Sequence, residues 1–159
     1  MRPLVNLFCI KFCNFKNQIQ RLESLIFLIF KSFNIKMNIQ QYFEFCLSKK
    51  GVTEHFPFDE DTLVFKVGGK MFALSSLSNW EKGTPAVNLK CDPERAEELR
   101  ANYDDIKPGF HMSKVHWNTI AINGDVSDKF LRELIDHSYD LVFKSLTKKL
   151  QLEISELAN

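Results

Sequence analysis

The chain has 159 residues, of which 45% are hydrophobic and 26% charged, and its formal net charge is +1. That composition belongs to one globular domain with room for an appendage, and it excludes collagen-like, coiled-coil and strongly disordered chains. The small net charge conceals a split: residues 1–36 hold six bases against one acid, whereas residues 37–159 hold fifteen bases against nineteen acids, a net charge of −4.

Residues 1–36 differ from the remainder in composition, because Phe, Ile, Asn and Lys supply 19 of the 36 and Gly, Ala, Asp, Thr and Tyr are missing. All four over-used residues have AT-rich codons, so the segment reads as a non-native or dispensable leader and Met37 as the functional start. A surface-binding amphipathic helix and a targeting signal are the alternatives. Against the signal, Leu25–Phe30 is a short apolar run preceded by Arg21 and Glu23, with no small-residue cleavage site before Met37. A membrane span needs about 20 apolar residues, and charges interrupt this segment too often.

After Met37, Ile39, Tyr42, Phe43, Cys46 and Leu47 recur with helical period, with Asn38 as N-cap, Gln41 at the third helical position and Gly51 beyond the end. An extra short strand is a candidate at 54–58. Thr62–Val67 and Lys70–Ser75 flank Gly68-Gly69, the pattern of a two-residue hairpin. That register sets Phe65 opposite Phe72 and Leu63 opposite Leu74, leaving Thr62, Val64, Lys66, Met71, Ala73 and Ser75 on a partly exposed face. A strand over 86–91 points Val87, Leu89 and Cys91 inward and Asn88 and Lys90 outward. Asp92-Pro93 then opens a helix that stops near Tyr103. Pro108-Gly109 precedes a strand region over 110–122, and Ser127 caps a long helix with the stripe Leu131, Leu134, Ile135, Ser138, Leu141, Val142, Ser145 and Leu146. From Lys148 the pattern fits a strand or a helix. The domain is expected to span 37–150, with 151–159 as a C-terminal tail. The order α-β-β-β-α-β-α predicts an α+β, two-layer sandwich, mainly antiparallel, with helices on one face.

Four blocks carry a family resemblance: Thr62–Leu74, Val87–Arg95, Pro108–Thr119 and Asp136–Val142. In that order they resemble the MmcQ/YjbR family, over about residues 37–150. The resemblance implies a compact α+β fold likened to frataxin-like and secretion-chaperone-like sandwiches. It also implies a small bacterial cytoplasmic protein of a kind often labelled DNA-binding, and it brings no catalytic residues.

The residues point the same way. No CxxC or completed zinc set accompanies Cys9, Cys13, Cys46 and Cys91, so a reduced, cytoplasmic protein without metal or cofactor is expected. His111 and His116, five apart on a strand, would face opposite sides, and Trp117 reads as core. His137-Ser138-Tyr139-Asp140 holds the letters of a triad, but consecutive helical residues cannot converge, and Ser138 is expected to bond a carbonyl one turn back. Cys91 points inward. Asp59-Glu60-Asp61 reads as a solvated turn, and Gly68-Gly69-Lys70 lacks the pattern of a phosphate loop. What remains is an outward face: Lys66, Asn88 and Lys90, with Lys114 as a further candidate and His116 and Asn118 joining according to strand direction. These are the candidate contacts for DNA, bound weakly through a local basic patch by a non-enzymatic protein. A protein-interaction or chaperone-like module without nucleic-acid binding is the alternative.

Overall fold

Asn38 opens the first helix, α1 (Ile39–Leu47), through a reciprocal capping box: its side chain accepts from Gln41 N at 2.9 Å while Gln41 Oε1 accepts from Asn38 N at 3.0 Å. The structure is a computed structural model that describes residues 36–157, so the leader reading, apart from Lys36, lies outside the described residues. The elements that follow are β1 (Val52–His55), β2 (Thr62–Val67), β3 (Lys70–Ser76), α2 (Leu77–Glu81), β4 (Ala86–Lys90), α3 (Pro93–Asn102), β5 (Ile106–Pro108), β6 (Trp117–Ala121), α4 (Asp128–Lys144) and α5 (Lys148–Glu156). The strands form one antiparallel sheet in the order β1-β2-β3-β4-β6-β5.

The α+β class and the single helical layer are as expected, but the order α-β-β-β-α-β-α is too short. The extra short strand exists as β1, earlier in the chain than the 54–58 expected of it. The order also lacks α2 and β5, which have local causes that periodicity does not report, and α5, the helical one of the two patterns open from Lys148. α2 is only five residues long, and it is held by Ser76 as N-cap and by the Asp61 carboxylate, which accepts from Ser78 N at 2.6 Å. β5 is three residues and exists through its pairing with β6. α5 is capped by Thr147 and buries Ile154, so the tail assigned to 151–159 begins in mid-helix.

One face of the sheet is covered by the helices. There Leu63, Phe65, Val67, Phe72, Val87, Leu89 and Ile120 meet Tyr42 and Cys46 from α1 and Leu131, Ile135 and Val142 from α4. Phe65 is fully buried, edge-on to Tyr42 with ring centroids 5.5 Å apart. Gly68 and Gly69 both take positive φ, 54° and 78°, as a two-residue hairpin turn of this hand requires.

The hairpin register departs from expectation two pairs past the turn. Val67↔Lys70 and Lys66↔Met71 pair as predicted, but Phe65 then faces Ala73 and Val64 faces Leu74. Phe72 is the extra residue of a β-bulge, so Phe72 and Ala73 both enter the helix-covered core. Everything in β3 beyond the bulge changes face: Ala73 and Ser75 point to the helices, and Leu74 points away with Val64. Ser138 explains why the bulge is tolerated. Its hydroxyl donates to Phe72 O at 2.5 Å and accepts from Lys90 N at 2.7 Å, instead of bonding within its own helix as expected. Both backbone groups are thereby satisfied without the ladder.

The strand expected over 110–122 is also shorter. Met112 N bonds Gly109 O, and both His116 N and Trp117 N bond Ser113 O, so residues 109–116 turn and extension begins only at Trp117. His111 adopts φ +54°, a left-handed conformation uncommon outside glycine. His111 and His116 therefore sit on a turning loop rather than on opposite faces of a strand. Gly109 is required by contact: a Cβ there would lie 2.7 Å from Trp117 Cβ. Arg100 from α3 pins the loop's end, donating to Asn118 Oδ1 at 2.7 Å and to the carbonyls of Lys114 and Trp117.

Candidate functional site

The sheet face turned away from the helices carries no covering element among the described residues. Cross-strand pairing aligns Val64, Leu74, Asn88 and Thr119 across β2, β3, β4 and β6, and Lys107 of β5 continues the row. The adjacent row holds Lys66 beside Met71 and Lys90 beside Trp117. The two rows are two residues apart on β2, β4 and β6, about 7 Å, and three apart on β3, where the bulge lies. Val64, Leu74 and Trp117 form a small second core on this side, with Met71 and Met112 against it. Trp117 is buried as expected, but on the face opposite the main core, and the Lys90 ammonium lies 5.8 Å from its ring centroid.

Of the candidate residues, Lys66, Asn88 and Lys90 are brought together on this face. Lys114 and His116 lie on the exposed loop before β6, outside the concavities of the sheet. Asn118 pairs with Leu89, points to the helices and is 1% exposed, so it does not join them. Lys70 is also diverted, its ammonium bonding Ser145 at the C-cap of α4.

Two loops raise the face into a trough. The β1–β2 loop brings Phe58, 62% exposed, to one side, and the β5–β6 loop brings Phe110, 69% exposed, to the other. Between them lies a concavity of about 800 Å³ floored by Leu74, Asn88 and Thr119. A second concavity of about 520 Å³ continues past Phe58 and Met112 to Lys66, Lys90 and Trp117. The floor is polar and ordered. Phe110 N donates to Thr119 Oγ1 at 2.9 Å, the Thr119 hydroxyl donates to Asn88 Oδ1, and the Asn88 amide NH₂ has no acceptor among the described residues.

Charge is distributed unequally between the layers. The six strands carry four lysines and one acid, Glu54, whereas the five helices carry eleven acids and seven bases. Within the larger concavity the acid is Asp59, tied into its own turn by accepting from Thr62 N at 2.6 Å and Asp61 N at 3.0 Å. Hydrogen bonds from Thr62 hold its carboxyl below the usual range. Asp61 is lowered likewise, chiefly by the Ser76 hydroxyl and the Ser78 amide. The Asp59–Asp61 turn is thus a structural clasp between the β1–β2 loop and α2, more than the solvated turn expected.

Of the groups with nucleophilic or acid–base potential, Asp59 and His111 line the larger concavity, whereas the thiols, His137 and Ser138 lie elsewhere. Burial raises the Cys91 thiol and pushes Cys46 up to about 12, which works against thiolate formation. Burial, then Arg95, lowers His137, and Ser138 is consumed in bridging Phe72 and Lys90. Among the described residues no three His, Cys, Asp or Glu side chains cluster as metal ligands would.

The YjbR family model matches residues 47–141, which include the whole trough and both loops. The chain belongs to the YjbR family. Within it, the chain is 40% identical to the protein YbdF of Escherichia coli O157:H7 over 99 residues, covering 62% of this chain and 79% of that one. It is 34% identical to the protein YjbR of Escherichia coli K12 over 104 residues, covering 65% and 85%. In structure it resembles the crystal structure of the Deinococcus radiodurans protein DR2400, of domain DUF419, with a TM-score of 0.69 at 38% identity, covering 74% of this chain and 88% of that one. A crystal structure of a protein from Pseudomonas syringae has a TM-score of 0.57 at 29% identity, covering 67% and 99%. YjbR-family membership and the α+β fold are therefore as the sequence blocks implied.

Sequence reasoning finds the lysine end of the trough and misses its walls. Phe58 follows Pro57 and Phe110 follows Pro108-Gly109, so both are large aromatics in breaker-rich loops with no periodic partner. That placement is the available signal. Thr119 and Lys107 stay hidden because the first falls in an over-long strand and the second in a loop.

Proposed function

We propose that this YjbR-family chain is a non-enzymatic binding protein of the cytoplasm that takes DNA on the uncovered face of its sheet. The observation that carries the reading is the distribution of charge: Lys66, Lys90 and Lys107 project from one face, where Asp59 is the acid at the rim, while eleven of the nineteen acids of residues 37–159 lie on the helices of the other. A polyanion is repelled by the domain's net charge of −4 at long range and attracted only where this face presents itself. Affinity is consequently low, at roughly 10⁻⁴–10⁻⁶ M near physiological salt, and falls steeply as salt rises.

The test is titration of labelled DNA with the full chain and its Lys66→Glu/Lys90→Glu variant at two salt concentrations. Both side chains are half-exposed, so the variant retains the fold. Loss of binding in the double variant is expected, and binding that ignores both salt and the reversal contradicts the reading. The exposed Phe58 and Phe110 favour a second reading, a protein-interaction module. Absence of any DNA binding selects it.

A further inference from the structure

The larger concavity narrows the kind of DNA that the open face can take, an inference that rests on the DNA reading above. We propose that the ligand is single-stranded, with one unstacked base held in the concavity between Phe58 and Phe110 and the flanking phosphates on Lys66, Lys90 and Lys107.

The two walls are aromatic and exposed, at 62% and 69%, although each lies against a concavity that would cover it once filled. Apolar rings left open on opposite rims of one pocket are suited to a flat, π-faced ligand, and every nucleobase presents such a face. The Phe110 rim is set rather than slack: the His111 ring packs 4.0 Å from that of Phe110, and Phe110 N is bonded to Thr119 on the floor. His111 holds a left-handed backbone, φ +54°, directly after Phe110, and both residues line the concavity.

The floor suits a base edge. The Thr119 hydroxyl occupies the Asn88 carbonyl oxygen, which leaves the amide donors of this lining residue for the carbonyl or ring-nitrogen acceptors of a base. At about 800 Å³ the concavity falls within the range of small-ligand sites, about 300–1,000 Å³. It is also placed for a chain, not only for an isolated molecule. Lys90 stands one row along the strands from Asn88, about 7 Å, in the adjoining concavity, and Lys107, beside Thr119, lines the larger one itself. Cations in both concavities match a backbone that runs from one into the other.

Duplex DNA fits this arrangement poorly. Its bases are stacked and paired, and extruding one requires breaking those contacts first. A single strand offers its bases freely, so it is preferred on energetic grounds even though the duplex carries the denser charge.

Anisotropy titrations of the full chain with a labelled oligothymidylate and with a labelled duplex test the proposal. Expected is at least tenfold tighter binding of the single strand, and for Phe58→Ala and Phe110→Ala each a loss on the order of tenfold for the single strand, the scale of one base–aromatic stack. Duplex binding should stay within about twofold in both variants. Far-ultraviolet circular dichroism on each variant verifies the fold, which two exposed side chains do not support. Equal single-strand and duplex affinity, with both aromatic variants unaffected and the Lys66→Glu/Lys90→Glu variant inactive, overturns this inference and leaves the DNA reading standing. No binding of either probe overturns both.

Discussion

The two faces of the sheet are built from the same strands and differ in what completes them. On the helix-covered face, side chains such as Phe65, Val67 and Val87 are fully buried by α1 and α4. On the other, Val64, Leu74 and Trp117 make a core too small to close over itself, roofed by Met71, Met112 and the Lys90 stem. Ordinary sheets of this kind face water with polar residues in alternation. Here the alternation is kept by Lys66, Asn88, Lys90 and Thr119 but interrupted by an apolar strip, and two aromatic loop tips rise beside it. The difference teaches that one face is closed by helices and carries the stability, while the other leaves apolar and cationic surface open, the surface proposed above to take a ligand.

Substitutions at matched chemistry should separate the two faces most clearly. Phe65→Ala removes a ring with no exposure from the main core and should cost about 3–5 kcal/mol of unfolding free energy. Urea melts would show it, and a loss under about 1 kcal/mol would mean that the helix-covered face is not where stability resides. Ser138→Ala should cost about 2 kcal/mol, because it strands the Phe72 carbonyl and the Lys90 amide, which lie between the faces at the bulge. Ser138→Thr, which keeps the hydroxyl, should recover part of the loss if the extra methyl is accommodated.

A smaller effect should appear with acid. Burial and then Arg95 hold His137 below its ordinary value of 6.5. The unfolded chain therefore takes up the proton first, and stability declines as pH falls from about 7 toward 5. His137→Gln should flatten that part of the profile of melting temperature against pH. A profile unchanged by the substitution would show that His137 does not govern this window. Below it, Asp59 and Asp61, both held below the ordinary value of 3.8, contribute a further loss as they protonate.

The smallest stability effects belong to the open face. Phe58→Ala and Phe110→Ala should change unfolding free energy by no more than about 0.5 kcal/mol, as surface substitutions do. A cost above about 2 kcal/mol at either position would show that the loop tips support the fold instead of awaiting a ligand.

Most of the helical layer was legible because its signals are local. Asn38 and Gln41 cap α1, Ser127 caps α4, and of the expected stripe Leu131, Leu134, Ile135, Ser138, Val142 and Leu146 are buried and Leu141 partly so, whereas Ser145 is exposed at the C-cap. Asp92 marks the start of α3 but makes no side-chain cap there, Pro93 at the first turn being sufficient to begin it. The open face was legible only in part. Lys66, Asn88 and Lys90 followed from alternation, whereas Leu74, Ala73 and Ser75 were assigned to the wrong faces. One extra residue at Phe72 reverses everything after it, and only tertiary contact with Ser138 reveals that residue. The trough's walls were illegible for a related reason. Phe58 and Phe110 lie 52 positions apart in loops, and their meeting depends on the crossover that places β6 between β4 and β5.

It is the open face, and not the helical one, that is proposed to receive the ligand. Amide chemical shifts of the isotope-labelled full chain, followed while oligothymidylate is added, test it most directly. Salt-sensitive shifts are expected at Phe58, Val64, Lys66, Asn88, Lys90, Phe110 and Thr119, with α3 and the exposed side of α4 unmoved. Shifts concentrated on α3 and α4, with Asn88 and Thr119 unchanged at saturation, would contradict it.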